Sequence, residues 1–249
     1  MMRWIAAENP SDQGCMAAEI ICRCLQKKPD ALIAFPTGST PLPMYASLVA
    51  CYQSGQVDFS RMRGFNLDEY AGLPPEHPQS YAFFLWENFY RHVNVQQQNI
   101  FVLDALADPV QAAADYEEKL KQAGYPDLAI LGIGINGHIG FNEPASVQEA
   151  FCHPVQLAPE TLAANARFFS PGEKTPQSAV TMGMGSILKS RKIILLASGK
   201  GKAKVMARLK QMTQIDPMFP ASFLFLHRDV TVIADRDAWP QGEMMTAES

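Results

Sequence analysis

The sequence has no long apolar run, no marked excess of charge of either sign and no cysteine framework, and each lack removes a class of function. No run approaches the ~20 apolar residues that a membrane-spanning helix needs, so no membrane partner is expected. The 249 residues carry 21 Lys and Arg against 25 Asp and Glu, a net charge of −4. That balance supplies no field suited to nucleic acid or to an anionic membrane surface. Any anionic ligand must then be held by local groups, which makes single Arg and Lys positions informative. Cys15, Cys22, Cys24, Cys51 and Cys152 are odd in number and lack zinc-type spacing, so they read as reduced thiols of a cytoplasmic protein. The opening MMRWIAAENP has neither the cationic start nor the apolar core of a signal peptide, and no export is expected.

What is present is the composition of a soluble enzyme, 47% apolar and 18% charged, in a length that commonly forms one α/β domain. We read residues 1–249 as that domain, with roughly the last ten polar and frayed. Short apolar runs at 31–35, 62–67, 99–103, 128–133, 192–198 and 230–234 predict strands. Helical spacing predicts helices over 12–27, 41–52, 110–122 and 202–211, and another that Ser80 caps, with Phe84, Leu85 and Phe89 on one face. The 110–122 helix is expected to expose a Glu117-Glu118-Lys119-Lys121 face. Alternating strands and helices imply a parallel sheet covered on both sides. Irregular segments follow the strands at 36–40, 68–79, 134–160 and 199–201. Ligands of open α/β sheets bind at the carboxyl ends of strands, so these segments are expected to meet at one cleft.

The stretch GIGINGHIGFNEP, residues 132–144, has the Gly132-x-Gly134-x-x-Gly137 spacing of a dinucleotide fingerprint. A true fingerprint opens a helix and has an acidic residue about 20 positions later. Here His138, Gly140, Asn142 and Pro144 follow, which break helices or bond locally. The stretch therefore reads as a strand-end loop with polar chemistry, and no NAD is expected.

Within that loop His138 has Glu143 nearby to orient its ring and Asn136 two positions before it, the setting of an acid/base histidine. His77, His92, His153 and His227 have no such setting and read as structural or surface. FPTGSTP, residues 35–41, joins a strand to a helix. Its Gly38, Ser39 and Thr40 offer amides and hydroxyls to an anion, with Thr40 a candidate cap; alone, it is equally an ordinary capped turn. No Gly-Lys-Ser/Thr ending makes it a nucleotide loop. Asp68 and Glu69 follow a strand, where a carboxylate can move a proton beside a carbonyl or can simply solvate a turn. Arg167 is a cation beside Phe168 and Phe169. Lys202 opens a helix and so opposes its dipole, a cost that an anion between them would remove.

PTGSTP, FNLDEYAGLPPEHPQSY, LGIGINGHIGFNEP, NARFF, TPQSAVTMGMGSIL and the GKGKA helix start occur in one order from about residue 30 to 235. The chain thereby resembles the glucosamine-6-phosphate deaminases, which are related to galactosamine-6-phosphate isomerases and 6-phosphogluconolactonases. This resemblance implies a modified Rossmann-like three-layer α/β/α sandwich with a mainly parallel sheet, and no metal or organic cofactor. It implies Asp68 as the base between C2 and C1, His138 with Glu143 as the ring-opening group, and Gly38, Ser39, Thr40, Arg167 and Lys202 around the phosphate. The implied reaction takes glucosamine 6-phosphate to fructose 6-phosphate and ammonia. A galactosamine epimer giving tagatose 6-phosphate, a lactonase-like hydrolase and a non-catalytic sugar-phosphate sensor stay open, as does homo-oligomerisation. Asn136 stands where many of these deaminases carry Asp. It supplies no charge to an imidazolium, so Asp at 136 is expected to raise turnover.

Overall fold

The protein is described from a computed structural model, covering residues 2–157, 169 and 175–240. The described residues form ten strands and six α-helices, beginning β1 (Arg3–Ala7), α1 (Pro10–Lys27), β2 (Leu32–Phe35), α2 (Leu42–Gln53), β3 (Arg63–Asn66), β4 (Asp68–Tyr70), α3 (Tyr81–Asn88), β5 (Ile100–Phe101), α4 (Pro109–Ala123) and β6 (Leu128–Gly132). There follow β7 (His153–Gln156), β8 (Ser178–Thr181), α5 (Met184–Leu188), β9 (Lys192–Ala197), α6 (Ala203–Gln211) and β10 (Val230–Asp235), all within the described residues.

Local chemistry sets the helix ends. The Asn9 side chain accepts from Asp12 N and Pro10 opens α1, while Asp108 accepts from Val110 N and Gln111 N ahead of Pro109 in α4. Gly124, at φ +89°, ends α4 in the left-handed conformation. Ser80 caps α3 by accepting from Phe83 N, as its position predicts.

Seven strands form one parallel sheet in the order β1-β10-β9-β6-β2-β3-β5. Alternate residues of the same strand enter opposite cores, as the period of two requires. Leu32, Ala34, Ala129, Leu131, Ile193 and Leu195 pack on the side of Tyr116, Leu120, Met206 and Leu209 from α4 and α6. Ile33, Phe35, Leu128, Ile130, Ile194 and Leu196 pack on the other side, against Ile21, Leu25, Tyr45 and Leu48 from α1 and α2. This is the expected three-layer arrangement.

The second sheet has no counterpart in the sequence reading. Strands β4, β8 and β7 form an antiparallel sheet, with Asp68 opposite Thr181 and Tyr70 opposite Ala179. Residues 68–70 and 153–156, expected to be irregular, are strands because a partner from a distant segment supplies the ladder. β1 was equally unmarked; it pairs with β10 at the sheet edge.

Glu117 corrects the expected charged face of α4. It is 4% exposed. Its carboxylate accepts from Ser186 Oγ at 2.6 Å, Tyr125 OH at 2.8 Å and Cys152 N at 3.1 Å. Burial alone would raise its pKa, but these donors hold the carboxyl below its usual range. Glu117 thus ties α4 to α5 and to the start of β7. Glu117→Ala would orphan three donors, and the expected loss is about 3 kcal/mol or more of unfolding free energy. Urea unfolding measures it, and a loss under about 1 kcal/mol would show that water satisfies the donors.

Candidate active site

Strands β9, β6, β2 and β3 are neighbours, and their carboxyl ends open on one cleft of about 430 Å³. The chain runs outward from β2 to β3 and β5 on one side, and from β6 to β9 and β10 on the other. The cleft therefore lies at a topological switch point, where two loops diverge and leave room for a ligand. Thr37 to Pro41, Asp68, Gly134, His138 and Lys202 all line it.

The 36–41 turn presents an open backbone. Gly38 has φ +96°, and a Cβ there would meet nothing within 4 Å. Among the described residues no acceptor takes the amides of Gly38, Ser39 or Thr40. The Thr40 cap is not formed: Pro41 occupies the N-cap of α2 already in the helical region, and no side chain caps it. Leu42 N bonds Ser39 O at 3.3 Å and closes the turn through the backbone. The free amides and hydroxyls of this turn suit an anion.

Across the cleft, Lys202 ends the 3₁₀ turn Lys200–Lys202 and precedes α6. Its Nζ donates to Ile133 O at 2.6 Å, at the end of β6, and burial lowers its pKa. That carbonyl accepts a hydrogen bond from the ammonium whose charge opposes the helix dipole. The turn itself is pinned by Asp235, which accepts from Ser198 Oγ at 2.6 Å and from Gly199 N at 3.1 Å. No sequence signal marks Asp235, because its role depends on β10 lying beside β9. Arg167, the other expected cation, lies outside the described residues.

Asp68 begins β4 and is 7% exposed. Burial, and then the neighbouring Glu69 charge, pushes its pKa up to about 8. A carboxyl in that range can both take and return a proton near neutral pH. Tyr81, which the sequence reading missed, lines the cleft beside it. Its ring is stacked on Phe141, with centroids 6.0 Å apart.

His138 Nδ1 lies 3.0 Å from Glu143 Oε1. Asn136 Nδ2 donates to Glu143 Oε2 at 2.7 Å, and its Oδ1 accepts from His138 N at 3.1 Å. Burial would raise the Glu143 pKa, but His138 and Asn136 bring it below its usual range. Both ends of the Asn136 amide are therefore engaged. Of the remaining histidines, His92 bonds Glu87 O and His153 bonds Phe151 O locally, His227 is buried against the distant Ser190 O, and His77 is stacked on Phe169.

The glycines at 134 and 137 have a packing cause. A Cβ at Gly134 would fall 2.3 Å from the His138 ring, and one at Gly137, where φ is +91°, would fall 2.3 Å from Phe219. The loop turns back on itself, with Gly134 N bonded to His138 O at 2.9 Å and no helix following. Gly134 makes room for the His138 ring and Gly137 for Phe219.

An open α/β sheet with a polar cleft at its switch point defines the class. Residues 14–233 match the model of the glucosamine-6-phosphate isomerases/6-phosphogluconolactonase family, and the chain belongs to that family. It is 45% identical over 238 residues to a glucosamine-6-phosphate deaminase of Thermoanaerobacter sp. strain X514, covering 95% of this chain and 94% of the relative. The solved structure of a monomeric glucosamine-6-phosphate deaminase superposes with a TM-score of 0.90 at 38% identity, covering 95% of this chain and 98% of that one. A Thermotoga maritima 6-phosphogluconolactonase shares the fold at 20% identity, with a TM-score of 0.74 over 94% of this chain and 99% of its own.

Proposed function

We propose that the protein converts glucosamine 6-phosphate and water to fructose 6-phosphate and ammonia, the whole chain acting as one cytoplasmic domain. The observation that carries this reading is a buried carboxylate of raised pKa in the same cleft as a histidine–carboxylate pair and an open amide turn. The phosphate is held by the Gly38-Ser39-Thr40 turn and Lys202, with Arg167 as a further cation. Anchoring it there positions the reacting carbons over Asp68. His138, supported by Glu143, exchanges a proton with the ring oxygen and opens the pyranose. Asp68 then takes the C2 proton and returns it to C1, passing through an enolamine. The resulting C2 imine adds water and expels ammonia, leaving the ketose. Five free thiols agree with a reducing compartment, and none of the described helices is long and apolar enough to cross a membrane.

The test is a panel of glucosamine 6-phosphate, galactosamine 6-phosphate and 6-phosphogluconolactone, scored for ammonia, ketose and acid. Ammonia and fructose 6-phosphate from the first substrate are expected. Tagatose 6-phosphate from the second at a higher kcat/KM, or acid from the third, would replace this reading, and silence on all three would favour a sensor.

Asn136 is where geometry changes an expectation. An Asp there would put a carboxylate oxygen where Nδ2 now sits 2.7 Å from Glu143. Two like charges so close share a proton, which raises the upper pKa of the pair. Asn136→Asp is therefore expected to stay within a few-fold of the parent rate near pH 6 and to lose rate as pH rises through that pKa. Turnover above the parent at pH 8 would restore the view that a second charge helps His138.

A further inference from the structure

Glu69 does not line the cleft, yet it is 2% exposed and adjoins the carboxylate that does. Its partners are backbone amides: Tyr70 N and Tyr81 N at 2.9 Å on Oε1, and Ala82 N at 2.8 Å on Oε2. Tyr81 and Ala82 are the first two residues of α3, whose unpaired N–H groups favour a negative charge. Ser80 takes the next amide, Phe83 N, at 3.0 Å. Between them the two side chains close the first turn of α3 and fasten it to β4.

Two consequences meet at Asp68. The helix fastened by Glu69 begins with Tyr81, whose ring packs against Phe141 and Tyr70 in the cleft wall. Glu69 also adjoins Asp68, in a region too buried for water to screen an ionised carboxylate well; burial raises the Glu69 pKa, and the amides of Tyr81, Ala82 and Tyr70 oppose that shift. The other titratable groups near Asp68 are Tyr70 on β4, Tyr81 on α3 and Tyr116 on α4, all pushed up by burial and so neutral. His138 and Lys202 line the same cleft from the β6 loop and the α6 entry.

We propose that Glu69 is a positioning residue of this site: it locks α3 and Tyr81 onto β4, and its buried charge sets how tightly Asp68 holds a proton. The proposal deepens the reading of Asp68 as the proton-transfer base and rests on it. Glu69 has no contact with substrate and acts through its neighbours. An ionised carboxylate beside the base makes the base stronger, and the amide clamp favours that ionised form against the cost of burial.

The experiment compares the parent with Glu69→Gln and Ser80→Ala. The Asp68 carboxyl is titrated by ¹³C NMR, and the acidic limb of kcat/KM is followed in parallel. Glu69→Gln is expected to lower the Asp68 midpoint by about one unit or more and to move the acidic limb the same way, a tenfold change in the ratio of ionised to protonated carboxyl. Ser80→Ala, which loosens the same helix start without removing charge, is expected to move neither. Equal shifts in both variants, or an unmoved midpoint in Glu69→Gln, would overturn the proposal. If Glu69→Gln does not fold, the parent alone decides: Glu69 must remain ionised while Asp68 takes up its proton, and the reverse order refutes the idea. Failure of the deaminase reading would appear as absent ammonia release with the coupled titration intact.

Discussion

Asp68→Asn is expected to abolish ammonia release and, in the same molecule, to stabilise the fold increasingly as pH rises. The loss of turnover follows from removing the proton acceptor, and affinity for a sugar 6-phosphate inhibitor is expected to stay within a few-fold. The gain in stability follows from linkage. In the folded protein the Asp68 pKa is about 8, whereas an unfolded Asp titrates near ~3.9. Between those values the native state binds a proton that the unfolded state has released, so stability falls as pH rises through the window. Above pH 8 the whole cost, on the order of several kcal/mol, is present; at pH 5 only about a quarter of it is. Asparagine carries none. Unfolding of both proteins in urea at pH 5 and pH 8.5 measures the difference. A variant that keeps more than about a tenth of the turnover, a loss under roughly 1.4 kcal/mol, would remove Asp68 as the base. A stability gain no larger at pH 8.5 than at pH 5 would show that the Asp68 carboxyl is not held protonated.

Lys202→Ala is expected to lower kcat/KM for the phosphorylated sugar by about 10²-fold, the roughly 2–3 kcal/mol of a charge-assisted contact to a dianion. Inhibition by the unphosphorylated sugar is expected to change far less. Burial already lowers the Lys202 pKa. Phosphate affinity is thus expected to weaken at alkaline pH earlier than an exposed lysine would allow, and this limb should vanish in the variant. The same phosphate-selective loss is expected of Arg167→Ala. Equal effects on phosphorylated and unphosphorylated inhibitors would make Lys202 a structural link to Ile133 O, which it also bonds at 2.6 Å. Competitive inhibition constants for the two ligands decide between these roles.

The amino-acid sequence by itself determined the repeating strand–helix order, the helix cap at Ser80 and the loop, not a helix, after Gly137. Each rests on chemistry within a few residues: short apolar runs between helically spaced ones, a side chain reaching the next turn's amide, breakers where a helix would have to start. Asp68, His138, Glu143 and Lys202 were legible as candidates because polar groups at strand ends are informative in this architecture. The tertiary structure alone decided what those groups experience. Asp68 and Glu69 could have solvated a turn, but β8 covers them, so that one carboxyl keeps its proton to about pH 8 and the other caps α3. Glu117 matches a solvated helix face in its heptad and is buried only because Ser186, Tyr125 and Cys152 arrive with donors. Asn136 looked like a missing charge and is an engaged donor, since Glu143 folds back to within 2.7 Å of it. In every such case the missing information was a partner distant in sequence or across a turn. Burial and hydrogen bonding are properties of the pair, and no single segment carries them.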